Sequence, residues 1–376
     1  MDENTTEVKE KVEEKVEVVR HLATIQKVTA LDPIPNADKI ECASVLGWKV
    51  VVKKGEFNVG DLCVYFEVDS ILKKDTWNEF LVDKNRPDKP IRLKTVKLRG
   101  QVSQGLAMPL SIIDNDKYCA YMEAKIKLGI TKAVHSVDDD VGEFFGVTQY
   151  TPDIPAELKG LMKGNFPGFL IKTDVHRVQA YPGTIEELQG VEVYVTTKID
   201  GTSFTAYSKT ENIAEGHIFG VCSRNIELKD TEGNTYWNMT KKYGIIDILK
   251  GTNSALQSEI YGNGVQGNKL GMKDVQIAAF DVFSILGHRY LDYADFVSFC
   301  DTHNIPRVPV IYVGVFKWKT VDELVEFADA QNYANGTPAE GVVIRPVKEM
   351  TSYALRGGRL SIKAISRRFQ LTYGKE

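Results

Sequence analysis

The chain of 376 residues is poor in cysteine: Cys42, Cys63, Cys119, Cys222 and Cys300 are its only five, and no two share C-x-x-C spacing. An odd, scattered set argues against a disulfide framework and a structural zinc site. Six histidines without an H-E-x-x-H pattern leave no histidine-built metal centre in view. No apolar run approaches the roughly 20 residues of a bilayer-crossing helix, which excludes an integral membrane protein. Basic charge is not in surplus: 47 Lys and Arg stand against 51 Asp and Glu, so the molecule as a whole is no polycationic nucleic-acid binder. Residues 1–20 carry seven acids, four bases and no apolar core. They resemble neither a secretory signal nor an Arg-rich transit peptide, so an intracellular location is expected, cytoplasmic or nuclear, without secretion. The prefix itself reads as a flexible acidic tail.

Charge is unevenly spread over the rest. Residues 84–99 hold Lys84, Arg86, Lys89, Arg92, Lys94, Lys97 and Arg99 against a single acid, Asp88, and six bases lie from Arg356 onward. Two basic tracts on a near-neutral body suit a confined phosphate-tracking surface, although solvated faces produce similar runs.

Length allows two domains, or three small ones. Residues 21–110 show short β-rich runs split by turn signals: 45–48, 50–52, 62–66 and 96–100 read as strands. That pattern suits a small barrel of OB-fold size. Residues 111–167 lose rhythm and read as a connector with little helix or strand, Asp138 to Asp140 and the Pro152/Pro155 pair included. Beyond it strands (191–197, 275–283, 341–344) mix with helices (237–249, and 321–330 with Thr320 as N-cap and Glu323 at the capping-box position). The expected fold class is α+β, a small N-terminal β-barrel followed by an α+β domain. The expected division is 1–20 tail, 21–147 barrel with connector, and 148–376 second domain.

The segment that carries chemistry is Thr197-Lys198-Ile199-Asp200-Gly201. A lysine leaves a strand at an Asp-Gly turn, where backbone bends and a ligand can come close. Lysine is a poor nucleophile at its ordinary pKa of ~10.4, and lowering that by about three units costs roughly 4 kcal/mol, so an attacking lysine needs a built site. A solvated lysine in a hairpin turn is the plainer reading of the tetrapeptide alone. Later segments add partners: Ser223-Arg224-Asn225, Glu259 before the Tyr261-Gly262 turn, Phe280-Asp281, Glu340 at the start of an apolar strand, and Lys363 on another.

In this order, K-x-D-G, S-R-N, E-x-Y-G, F-D-V, E-G-V-V-I-R and the Lys363 strand resemble motifs I, Ia, III, IIIa, IV and V of the covalent nucleotidyltransferases. These are the polynucleotide ligases and mRNA capping enzymes. Lys172-Thr173-Asp174 with Arg177 and Gln179 is similar to the K-T-D-x-x-R-x-Q lead-in of RNA ligases. The N-terminal stretch, including residues 98–106, resembles the OB domain that precedes the transferase domain in a branch that seals 3′-OH/5′-phosphate nicks in duplexes whose 3′-OH strand is RNA. The resemblance covers nearly everything after His21.

It implies an ATP-dependent RNA ligase in which Lys198 attacks the α-phosphorus of ATP. A lysyl–AMP forms, AMP passes to a 5′-phosphate, and the 3′-OH then displaces AMP. The implied nucleotide-binding set is Thr197, Gly201, Arg177, Arg224, Glu259, Phe280, Val343 and Lys363. Phe280 and Val343 would enclose the adenine, Glu259 would accept from a ribose hydroxyl, and the arginines would meet phosphates or ribose. Lys363 would neutralise the α-phosphate and lower the pKa of Lys198 by repulsion. Asp200 and Glu340 would hold Mg²⁺ or Mn²⁺ through water. Many RNA ligases carry K-x-K in motif V; here Ser361 and Ile365 flank Lys363. The implied partner is a nicked RNA-containing duplex, without a membrane, and a monomer is expected. An mRNA guanylyltransferase is disfavoured because its OB domain follows the transferase domain. A DNA ligase stays open, as does a non-catalytic RNA-binding OB protein.

Overall fold

The computed structural model describes residues 20–126, 135–151, 156–212 and 216–374. The acidic tail expected over 1–20 lies outside the described residues except for Arg20, as do Pro152 and Pro155 of the connector.

The long strand Ala23–Pro33 founds the N-terminal domain. Its first half pairs with Leu62–Phe66 and its second with Ile40–Val45, and the register shifts between Val28 and Ala30. That shift is a bulge, which bends the strand so that one segment serves both directions of the barrel. The sheet runs Trp48–Lys53, Ile40–Val45, Ala23–Pro33, Leu62–Phe66, Leu106–Pro109. It curls shut where the Gln104 N–H donates to Lys49 O at 2.8 Å and the Val51 N–H donates to Ser103 Oγ at 2.9 Å. Trp48 and Tyr65 are fully buried in its interior, while Phe66, on the opposite face of its strand, is buried with Ile25 and Val64.

Three expectations need correction. Residues 45–48 are the turn between two strands, not a strand: Leu46 sits at φ +52° and Gly47 follows. The connector is more regular than expected. It contains the helix Asn115–Ile126, whose Tyr118 and Met122, four apart, are buried against the barrel. A polar majority in that helix masks the single apolar stripe. The chain then returns to the barrel, burying Val141 and pairing Thr148–Gln149 with Ser70–Leu72. Finally, the helix expected over 237–249 is two, Thr235–Lys242 and Ile245–Leu249, parted by Gly244 at φ +62°. The helix expected over 321–330 is Val321–Asp329, with Thr320 Oγ1 accepting from the Glu323 N–H.

The second domain is built on two large antiparallel-rich sheets. One has seven strands, ordered Met162–Asn165, Ile226–Leu228, Gly216–Cys222, Thr202–Asn212, Ser254–Tyr261, Gln276–Ser284 and Arg289–Tyr290. The other has five, ordered His176–Arg177, Ile362–Ile365, Gly341–Pro346, Glu192–Lys198 and Val310–Val315. Each sheet turns one face to helices. Val193, Val195, Val342, Ile344, Ile362 and Ala364 pack with Leu324, Val325 and Ala328. Phe204, Leu256, Ile260 and Val282 pack with Met239, Ile245 and Phe296. The remaining faces meet across a cleft.

Barrel and second domain share a close seam. The Gly47 N–H donates to Gln179 O at 3.0 Å, Lys49 pairs with Asp322 at 3.2 Å, and Gln104 Nε2 donates to Gln370 Oε1 at 3.1 Å. A Cβ on Gly47 would stand 2.8 Å from both Gln179 Cα and Val321 Cγ1. Gly47→Ala is therefore predicted to cost about 1–3 kcal/mol by overpacking and to lower the thermal unfolding midpoint by several degrees. An unchanged midpoint would mean that the seam yields freely.

Candidate active site

The register of the five-stranded sheet assembles the site. Lys198 pairs with Gly341, which brings Glu340 beside it; Thr196 pairs with Val343, Val343 with Lys363, and Lys363 with Arg177. Directly opposed residues share a face, so Lys198, Val343, Lys363 and Arg177 all look into the cleft while Val195, Val342 and Ala364 face the core. Gly341 has to be glycine: it sits at φ +153°, and a Cβ would lie 2.2 Å from Ala364 O.

The seven-stranded sheet supplies the opposite wall. Glu259 pairs with Ser203 and Ala278. Between Gln257 and Ser258 the partner register jumps from Asp281 to Ala279, leaving Phe280 as the extra residue of a bulge. The alternation slips by one there. Ile277 and Ala279 face the core, Val282 resumes it, and Phe280 lines the cleft. The turn after Lys198 approaches this sheet so closely that a Cβ on Gly201 would fall 2.3 Å from Ile260 O and 2.8 Å from Glu259 Cγ.

The cleft has a volume of about 1070 Å³, and all eleven residues expected at the site line it. Lys198 Nζ donates to Glu340 Oε2 at 2.6 Å. Lys269 Nζ donates to Asp200 Oδ2 at 2.7 Å. Glu259 forms no hydrogen bond with another described residue through its carboxylate, and Thr197 donates its N–H to Pro309 O at 2.9 Å. Arg224, at the rim, pairs with Asp174. Arg177 donates to Asp69 of the barrel at 3.1 Å and keeps a buried Nη1 unpartnered. Arg177 is the strand partner of Lys363, so a guanidinium stands beside that amine on the cleft face.

Below the cleft, Arg359 grips Asp281 through two bonds of 2.9 and 2.7 Å, and Arg345 reaches the same carboxylate at 3.2 Å. Burial alone would raise the Asp281 pKa, but the two guanidiniums hold it below the ordinary carboxylate range. This buried cluster clamps the two sheets together.

The charge states differ from expectation in one respect. Burial disfavours the Lys198 ammonium, but Glu340, Glu259 and Asp200 outweigh that and hold its pKa above the ordinary lysine value. Lys363 is the depressed amine: burial first, then the Lys198 and Arg177 charges, push it down to about 7. Sequence motifs name both lysines but cannot say how many acids surround each. Burial, joined by repulsion from Glu340 and Asp200, also pushes Glu259 up to about 8 against the pull of Lys198. Asp200 is raised by burial and by Glu340, against Lys269.

Two residues of the site escaped the sequence reading. Lys269 lies in a Gly-rich loop outside every motif, and Tyr333 lies among Gln331, Asn332 and Asn335, a stretch that reads only as loop. The Tyr333 hydroxyl donates to Lys198 O at 3.0 Å and accepts from the N–H groups of Asp200 at 3.0 Å and Glu340 at 3.1 Å.

Two charged walls around a half-buried lysine, with an aromatic ring at the bulge, define a cleft suited to an aromatic, polyanionic ligand. Comparison with known proteins agrees. A family described as OB-fold domain matches residues 22–110, and one described as RNA ligase matches residues 191–365. A solved RNA ligase of Naegleria gruberi with PPi is 33% identical, with a TM-score of 0.80 over 95% of this chain and 100% of that one. A mutant of that ligase with AMP and Mn is 33% identical, with a TM-score of 0.78 over 93% and 98%. A mutant with ATP and Mn is 34% identical, with a TM-score of 0.76 over 93% and 98%. A search of curated proteins returned no match. The chain belongs to the RNA ligase family and is an enzyme of that class. No helix among the described residues is long and apolar enough to cross a membrane.

The reversed charge states can be tested directly. At pH 7 about half of Lys363 is a neutral amine, given its pKa of about 7, whereas Lys198 is nearly all ammonium. A limiting amount of a small amine-acylating reagent should modify Lys363 ahead of Lys198, as read by peptide mass mapping. Modification of Lys198 first would reverse the assignment.

Proposed function

We propose that the protein is an ATP-dependent RNA ligase that works through a lysyl–AMP on Lys198. The observation that carries this reading is the Lys198 amine, half-buried in the cleft at 2.6 Å from Glu340, on the same face of the sheet as a second lysine, Lys363. In the first step the Lys198 ammonium gives a proton to solvent, and the neutral amine so formed attacks the α-phosphorus of ATP. An N–P bond forms, the P–O bond breaks with its electron pair going to pyrophosphate, and the proton of the attacking nitrogen passes to solvent. In the second, a 5′-phosphate oxygen takes the AMP and Lys198 is freed. In the third, a 3′-OH attacks the activated 5′-phosphate, the phosphodiester forms and AMP departs.

The residues fit roles in those steps. Lys363 and Arg177 would meet phosphate oxygens, with Arg224 at the rim where a polynucleotide end enters. Phe280 and Val343, one from each sheet, would flank the adenine, where stacking is worth about 1–3 kcal/mol. Glu259 would accept from a ribose hydroxyl. Thr197 and Gly201 hold the backbone on either side of the nucleophile. Positioning and charge neutralisation do most of the work in such in-line transfers.

A divalent cation suits the acids present. Asp200, Glu259 and Glu340 all act on Lys198, and repulsion among them contributes to the high pKa of Glu259. No group of three possible ligands converges on one point among the described residues. One or two carboxylates completed by water is the usual arrangement for Mg²⁺, so Asp200 and Glu340 are the residues that would hold it. Bound there, Mg²⁺ or Mn²⁺ would neutralise phosphate oxygens and offset the carboxylate charge that keeps the proton on Lys198.

The substrate we infer is a nicked duplex whose 3′-OH strand is RNA, sealed by an intracellular monomer with barrel 21–147 and catalytic domain 148–376. Incubation with α-labelled ATP or GTP and Mg²⁺, followed by a denaturing gel, tests the chemistry. ATP is expected to label the protein, GTP is not, and Lys198→Ala should abolish labelling in a folded protein. Labelling that persists in Lys198→Ala would refute the nucleophile; labelling by GTP alone would point to capping. Sealing of nicks that differ only in RNA or DNA at the 3′-OH side tests the substrate.

A further inference from the structure

Ladder pairing of the catalytic strand ends at Lys198 opposite Gly341, and beyond it the two chains part. Lys198 and Asp200 lie on one side of that parting and Glu340 on the other. Besides the Lys198–Glu340 ion pair, one hydroxyl bridges the two backbones. The Tyr333 Oη donates to Lys198 O and accepts from the Asp200 and Glu340 N–H groups, all at 3.0–3.1 Å. A phenol has one proton and two lone pairs, so this hydroxyl is fully used. Its ring is 7% exposed and packed among Ala339 and Phe369, which fixes where the hydroxyl stands.

We propose that Tyr333 is a positioning residue of the adenylylation step: it sets the Lys198 amine in register with the Glu340 and Asp200 carboxylates. It reaches the backbone of these residues rather than their reacting atoms. A displacement of about 1 Å at a reacting centre can cost on the order of 100-fold in rate, and among the described residues no other side chain bonds to the backbone of all three. The inference rests on the lysyl–AMP reading given above.

The test is Tyr333→Phe in the full chain, which keeps the ring and removes the hydroxyl. In single-turnover reactions with α-labelled ATP and Mg²⁺, the rate constant for lysyl–AMP formation should fall about 10- to 100-fold. Half-saturation by ATP and the final amount of labelled protein should stay within about threefold of wild type, as expected where an interaction serves the transition state. Sealing of a nicked duplex already carrying a 5′-adenylate does not use Lys198 as nucleophile and should fall far less. A merely structural tyrosine would lower labelled amount and pre-adenylylated sealing together. That result, or outright loss of the fold, overturns the positioning role, and so does an unchanged rate constant. Wild-type protein that forms no lysyl–AMP overturns instead the reading beneath it.

Discussion

A half-buried lysine ammonium beside three carboxylates, one of them 2.6 Å away, sets the terms for the rest of the cleft. In a poorly solvated space each charge must be balanced by another or be given up. Lys198 keeps its proton because acids outnumber bases around it. Lys363, on the far side of Val343 in the register, faces Lys198 and Arg177 and surrenders much of its own. Glu259 gains a proton for the mirror-image reason. The sign of the linkage follows. Lys363 titrates lower in the folded state than in the unfolded chain, so it costs stability fully below pH 7, and the cost fades as pH rises toward its ordinary value. With its pKa at about 7, the shift amounts to several kcal/mol held against folding. An arriving polyanion reverses the balance, because phosphate oxygens beside Lys363 favour its charged form. Ligand binding and proton uptake are thereby coupled in one amine.

Such a balance survives only if positions are enforced, and the enforcement is covalent geometry and register more than side-chain adhesion. Two glycines let backbone come where a methyl group could not: Gly341 beside Ala364 O, and Gly201 beside Ile260 O. One bulge turns Phe280 toward the cleft without moving Ala279 or Val282 from the core. The Asp281–Arg345–Arg359 cluster ties the sheets beneath them. A buried cluster of this sort adds little net stability compared with apolar packing, but removing one partner strands a charge, at about 3–5 kcal/mol. Its value here is that the two walls cannot drift apart.

How much of this could be read from residues alone divides along local and non-local lines. Strands at 192–198, 276–284 and 341–346 announced themselves by β-branched runs, and the helix at 321–329 by its cap. Lys198, Glu259, Glu340 and Lys363 were legible because their spacing within short motifs is itself the signal. The proton on Lys198 was not, since it depends on acids 61 and 142 positions downstream, and distance in sequence carries no charge information. Tyr333 gave no sign either: a tyrosine in an Asn-rich loop looks like surface until the fold closes over it. The helix Asn115–Ile126 was missed because a mostly polar segment with two buried residues has too weak a stripe to stand out. The break at Gly244 was missed because apolar residues on both sides imitate one continuous face.

The seam between barrel and catalytic domain follows from the same electrostatics. Arg177 stands next to Lys363 in the sheet, yet its guanidinium is also held by Asp69, a barrel residue that binds Arg92 at 2.9 Å as well. Arg92 in turn lies over the Tyr150 ring at 3.5 Å. The basic tract 84–99 is therefore split: Lys84, Arg86 and Lys89 face solvent, while Arg92 and Lys94 turn inward to the wall of the cleft. Asp69 is the carboxylate that both guanidiniums on this wall bond, while Glu67 and Glu340 act on Arg177 and Asp174 and Glu340 on Lys363 through space. The barrel thus supplies one of the anions that balance the cations gathered beside Lys198, which makes it part of the electrostatic construction of the cleft as well as a neighbouring surface.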